Sequence, residues 1–285
     1  MAPEPLVFAL VLFAALAHAG WNALLKASGE RGAIFSVLLL TGGAFGLVGI
    51  TLLPLPAHEA WLYLALSTLV HYAYYGFLLL AYRYGDLSQV YPLARGSAPL
   101  MVAAGAWAIA GENLAPAGVL GLVLASGGIM SLTLDKGPPR DHAAKAVFFA
   151  LGTGVLIAGY TVIDGLGVRS SGMALSYIAW LNVMEALPIA LWLLVRRPPS
   201  FTGLTARSWR LGLFGGVLAM AAYGLVIFAL SLGGMAHVSA LRETSVLFAA
   251  LLGTLVLRES SGRSGRRIAS ATLVSAGIVI LQLAG

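Results

Sequence analysis

Four ionisable side chains fall inside otherwise apolar runs: Arg95, Glu185, Arg242 and Glu243. An ionisable group at the centre of a membrane helix costs about 2.5–3.5 kcal/mol on insertion scales, so each is a functional candidate by default. Their charges sum to zero, which also fits ion pairs between helices. Arg95 therefore supports two readings. Its guanidinium fork matches the two oxygens of a substrate carboxylate, and it equally suits pairing with an acid such as Glu243. Glu185, close to Asn182 and Pro188, fits a structural role. Arg95 sits in "SQVYPLARGSAPLM" (88–101), between Pro92 and Pro99. Each proline removes a backbone N–H and frees the carbonyl four residues earlier, those of Ser88 and Arg95. Freed groups are tolerated at membrane depth only where protein or a wet cavity satisfies them. The segment is thus expected to be a cavity wall and hinge, with Pro92 and Pro99 as gating residues.

Aromatic and imidazole side chains form a second set of candidates. His71, Tyr74, Tyr75, Leu78 and Tyr82 recur at helical spacing and share one face. Tyr63, Tyr82 and Tyr84 fit interface anchors. His71, Tyr74 and Tyr75 lie deeper and suit a cavity that stacks aromatic or neutral substrates and offers hydroxyl partners. His18, Trp21 and Asn22 share one side of the first apolar run, and Tyr160 stands at the place of Trp21 in the second half of the chain. Trp21 and Tyr160 are expected to enter the cavity from opposite sides. Tyr91 and Tyr223 complete the substrate-binding candidates, with Arg95, Arg242 and Glu243. Two histidines without a carboxylate cluster or any cysteine make a poor metal site. No G-x-S-x-G elbow and no phosphate-cradling loop occurs, so neither an enzyme nor an ATP-driven pump is indicated. No cofactor is expected. His18, His71 and Glu243 are the groups that could exchange protons, since histidine titrates near neutrality.

The elements that must position these residues follow from composition. Of 285 residues, 59% are hydrophobic and 10% charged, and mean hydropathy is +0.91. Soluble domains carry about 25% charged residues, so lipid is the expected main solvent. Runs of about 20 apolar residues then read as transmembrane helices. Ten are expected, at 5–26, 33–53, 60–82, 88–110, 115–134, 144–164, 173–195, 209–231, 236–257 and 267–284. The first run imitates a secretory signal, but Glu4 stands where a positive n-region belongs, so a retained helix is expected. The net charge of +6 lies in short loops rather than on a basic face, which argues against nucleic acid as a partner. Loops after odd-numbered spans hold nearly all the Lys and Arg, and those after even-numbered spans hold only Arg169. The positive-inside rule then places both termini on the outer side of a bacterial-type inner membrane.

An internal repeat divides the chain. "YGFLLLAYRYGDLSQVYPLARGSAPL" (75–100) aligns with "YGLVIFALSLGGMAHVSALRETSVLF" (223–248) at a constant offset of 148. Glu112 meets Glu259, and "SGGIMSL" (126–132) meets "SAGIVIL" (275–281). The expected organisation is a first five-helix repeat over 1–135, a central cytoplasmic loop at 136–142 and a second repeat over 143–285. An odd number of spans per repeat inverts the second copy, the design of secondary transporters with a midplane site. Ala240 and Leu247 replace the two prolines in the second copy, so only the first is expected to bend.

This pattern, with "GWNALLK" (20–26), "GEN" (111–113), "RES" (258–260) and the glycine-rich ends of spans five and ten, resembles EamA-type members of the drug/metabolite transporter superfamily. Its bacterial parallel is the YddG-type exporter of aromatic and other neutral amino acids. The resemblance implies ten helices around a central cavity and export of a small metabolite by alternating access. A multidrug exporter of organic cations from the same superfamily is the alternative, and a membrane-embedded enzyme is a remote one.

Overall fold

The structure, a computed structural model, describes residues 4–26, 31–133, 143–196, 198–255 and 264–284. Among the described residues the secondary structure is helical. The helices are α1 (Glu4–Lys26), α2 (Arg31–Leu52), α3 (Ala60–Tyr84), α4 (Leu87–Ala110), α5 (Pro116–Ser131), α6 (Ala143–Ser170), α7 (Ala174–Arg196), the short α8 (Pro199–Thr202), α9 (Ala206–Leu232), α10 (Met235–Arg242), α11 (Thr244–Leu255) and α12 (Ser264–Leu283). Seven are long and apolar enough to cross a membrane, and α5 and α12 are shorter apolar helices. The chain is an all-α polytopic membrane protein. Its basic central segment, 136–142, lies outside the described residues, as does "RES" (258–260).

Two differences from the expected spans matter for function. Helix α6 continues to Ser170, six residues beyond the expected end, and so draws Asp164 and Arg169 into a helix. It stops where Gly172 adopts a positive φ of 75°, a conformation that glycine enters without a Cβ penalty. The second difference concerns the prolines. Helix α4 runs unbroken through Pro92 and Pro99, whereas the ninth span, which has no proline, divides into α10 and α11 at Glu243. There the backbone tightens: Glu243 N–H donates to Ala240 O at 3.1 Å and Val246 N–H to Glu243 O at 3.0 Å. Such i to i−3 bonds inside a helix are a common mark of a hinge.

Two compact units draw on both halves of the chain. The first comprises Met1–Thr68, Asp164–Leu232 and Phe248–Glu259. Small residues bring its helices together, as expected where lipid removes the hydrophobic drive between them. A Cβ added to Gly46 would lie 2.6 Å from the carbonyl oxygen of Ala179, so α2 and α7 meet almost backbone to backbone. Gly212 and Gly216, one turn apart on α9, face Val37 and Thr41 of α2 in the same way. The edge-on pair Trp61–Trp180, with centroids 4.7 Å apart, joins the start of α3 to α7.

The second unit comprises Leu69–Ile163, Gly233–Leu247 and Ser260–Gly285. Its tightest pair is α5 with α12. A Cβ on Gly277 would fall 2.5 Å from both Gly121 O and Ala125 N, and Gly128 meets Leu273 and Val274. Gly128 and Gly277 are repeat-related positions, so both copies place a glycine at one helix crossing. Ser131 and Ser270 hydroxyls add a 2.7 Å hydrogen bond between the same helices. Gly96, beside Arg95, serves packing as well: a Cβ there would lie 2.6 Å from Met130 Cγ on α5. Close support along this face accompanies the continuity of α4 despite its two prolines.

Candidate functional site

The second unit contains a buried ionic cluster built from α4 and the α10–α11 junction. Arg95, Arg242 and Glu243 are 5%, 4% and 1% exposed. Arg95 Nη2 lies 3.0 Å from Glu243 Oε1 and donates to Ser245 Oγ at 3.4 Å. Arg242 Nε approaches the same Glu243 oxygen at 4.0 Å. A charge buried without a partner is very costly, so pairing of this kind is required at such depth. Arg95 therefore takes the ion pair with Glu243 that was one of its two readings.

A wall of rings adjoins the cluster. His71 of α3 stacks on Tyr160 of α6, with centroids 4.0 Å apart and planes inclined by 20°. Tyr74 meets Tyr160 edge-on at 5.7 Å, and the Arg242 guanidinium carbon lies 5.9 Å from the Tyr160 centroid. That distance suits a cation–π contact. Tyr74 also tilts against Tyr75 at 5.3 Å, and Tyr75 meets Tyr72 edge-on at 5.8 Å. Tyr91 stands one turn before Arg95 on α4, a spacing that shares a helix face. Of the twelve substrate-binding candidates, His71, Tyr74, Tyr75, Tyr91, Arg95, Tyr160, Arg242 and Glu243 thus belong to one unit.

The remaining four lie in the first unit. His18 and Trp21 form an edge-on pair at 5.2 Å on α1. Asn22 turns its amide back onto its own helix, donating to His18 O at 2.8 Å. Tyr223 of α9 donates from its hydroxyl to Asp164 Oδ2. Tyr177 of α7 donates to Asp164 Oδ1 at 2.8 Å. Asp164 is fully buried and joins α6, α7 and α9. It is absent from the candidates read from sequence, because span six was expected to end on it. The uninterrupted "DGLGVRS" up to the glycine turn was the available signal. Glu185 lies half-buried on α7 in the same unit.

Glu112 of "GEN" has a role that spacing alone did not assign. Its Oε2 accepts the Met235 N–H at 2.7 Å, capping the first turn of α10. Helix N-termini leave such donors unsatisfied and favour negative charge. Gly111, with φ of 68°, ends α4 in the left-handed conformation that delivers Glu112 to this place.

Buried charge beside stacked rings is thus held on helices apolar enough to cross a membrane. Residues 144–283 match the EamA-like transporter family. The chain is a membrane transporter of the drug/metabolite superfamily, EamA type. No curated protein matches it. Among 29 matching chains of solved structures, one crystal structure superposes with a TM-score of 0.74 over 98% of this chain and 96% of its own, at 17% identity. That likeness describes the fold alone.

Proposed function

We propose that this chain exports small carboxylate-bearing metabolites, aromatic and neutral amino acids first among them, by alternating access across a bacterial-type inner membrane. The observation that carries this reading is the buried Arg95–Arg242–Glu243 cluster beside the His71–Tyr160 stack. Guanidinium groups bind a carboxylate, and the rings bind the body attached to it. On this reading the binding candidates His18, Trp21, Asn22, His71, Tyr74, Tyr75, Tyr91, Arg95, Tyr160, Tyr223, Arg242 and Glu243 face substrate in some stage of the cycle. The substrate likeness is to YddG-type exporters. The chain works as two inverted five-helix repeats, 1–135 and 143–285, with both termini on the outer side.

The gates are α4, which lacks two N–H groups at Pro92 and Pro99, and the tightened backbone at Glu243. An organic-cation exporter would need a carboxylate open to its cargo, and Glu243 already lies against Arg95. The test is counterflow of labelled phenylalanine and threonine in proteoliposomes. Exchange above protein-free vesicles supports the proposal, and no exchange with any amino acid overturns the substrate class. An imposed pH gradient in the same vesicles separates proton-driven export from facilitated diffusion.

A further inference from the structure

Charge arithmetic at the cluster says more about the cargo. Among its described residues, two guanidinium groups face one carboxylate, leaving a surplus of one positive charge. The other described carboxylates of the same unit are placed elsewhere: Glu112 caps α10, and Asp86 is exposed at the start of α4. The two arginines are not equivalent. Arg95 has both Glu243 at 3.0 Å and the Ser245 hydroxyl. Arg242 has the 4.0 Å approach to Glu243 and the face of Tyr160, and its Nε and Nη2 are buried with no hydrogen-bond acceptor among the described residues. These two nitrogens can form one bidentate fork, the geometry that a carboxylate accepts. The Tyr160 ring, with His71 stacked on it, stands beside that fork.

We propose that Arg242 is the anchor for the substrate carboxylate and that the site selects aromatic monoanions over zwitterions and cations. The inference rests on the carboxylate-carrier reading above and changes its order of cargo, placing deaminated aromatic acids ahead of the amino acids. A monoanion on Arg242 brings the buried cluster to neutrality. A zwitterion carries its own ammonium in and leaves the surplus in place, and an amine doubles it. Desolvation magnifies that difference, because buried unpaired charge is costly. Among amino-acid-like molecules the preferred class is therefore the deaminated one, planar aryl acids and 2-oxo acids.

The experiment measures binding of phenylpyruvate, phenylalanine and phenethylamine to the detergent-purified full chain at pH 7. Phenylpyruvate is expected to bind about tenfold or more tighter than phenylalanine, the scale of one charge-assisted fork, with no competition from phenethylamine. Arg242→Gln is expected to lose about tenfold or more of the phenylpyruvate affinity, and Arg242→Lys to recover part of it. Because Arg242→Gln removes a surplus buried charge, its melting temperature should equal or exceed that of the wild type. A fall as large as that of Glu243→Gln, or failure to fold, makes Arg242 structural and overturns the inference. Phenylalanine binding more tightly than phenylpyruvate overturns it too, while leaving the carrier reading intact. Absence of binding by all three probes, together with no amino-acid counterflow, takes down the carrier reading itself.

Discussion

Glu243 and Asp164 are both buried carboxylates on apolar helices, yet the molecule treats them differently. Glu243 lies among guanidinium groups, with Arg95 at 3.0 Å and Arg242 at 4.0 Å. Asp164 accepts hydroxyl hydrogen bonds from Tyr177 and Tyr223, while Arg169 of the same helix directs its Nε to the Leu230 carbonyl at 2.9 Å. The first arrangement accumulates charge and leaves some of it uncompensated. In the second, hydroxyls from two other helices donate to one carboxylate and tie three helices together. A surplus of charge beside a ring wall is a means of attracting cargo. A carboxylate that accepts from two phenols is a means of holding helices, and we assign the two carboxylates these different tasks.

Substitutions break the comparison in order of size. Glu243→Gln leaves two buried guanidinium groups without their acid and should destabilise by about 3–5 kcal/mol, the cost of breaking a buried pair. Thermal unfolding in detergent reads it, and a loss of under about 1 kcal/mol would mean that water already compensates the cluster. Asp164→Asn keeps the shape but weakens two charge-assisted bonds, so a loss of about 2–3 kcal/mol is expected by the same measurement. Tyr177→Phe removes one of those donors and should cost about 1–2 kcal/mol. Equal losses for Asp164→Asn and Glu243→Gln would erase the distinction between hydrogen-bonded and ion-paired carboxylates. The smallest effect is expected at the hinge. Thr244→Val deletes the Oγ bond to Leu241 O, 2.7 Å long, and should change stability by about 0.5–1 kcal/mol. Its transport rate should shift by more than its melting temperature implies if this turn moves in the cycle.

Much of this arrangement was legible in the order of residues. Apolar runs located the helices, because lipid leaves the backbone few other options. Helical spacing put His71, Tyr74 and Tyr75 on one face, and charge at membrane depth singled out Arg95, Arg242 and Glu243. The pairing of Arg95 with an acid such as Glu243 was one of two readings, and a choice between them required proximity across the repeat. Local rules failed where packing decides. Proline marks α4 as the place where a helix is interrupted, yet one helix spans both prolines, and the break in helix assignment falls at Glu243, where no proline stands. Asp164 is hard to read from sequence because an apolar run ends on it while the helix continues to Ser170. The capping role of Glu112 was hidden for a different reason: its partner, Met235, is distant in sequence and contributes only a backbone N–H.

The division of labour between the two carboxylate regions is tested most directly by efflux of labelled aromatic substrate from cells expressing wild type, Arg242→Gln and Asp164→Asn, compared at matched abundance in the membrane. The account predicts that Arg242→Gln loses about tenfold or more of the rate, the scale of one carboxylate–guanidinium contact, while Asp164→Asn stays within a few-fold of wild type. Abolished efflux in Asp164→Asn with Arg242→Gln unaffected would contradict it and move the transport chemistry to the phenol-held carboxylate.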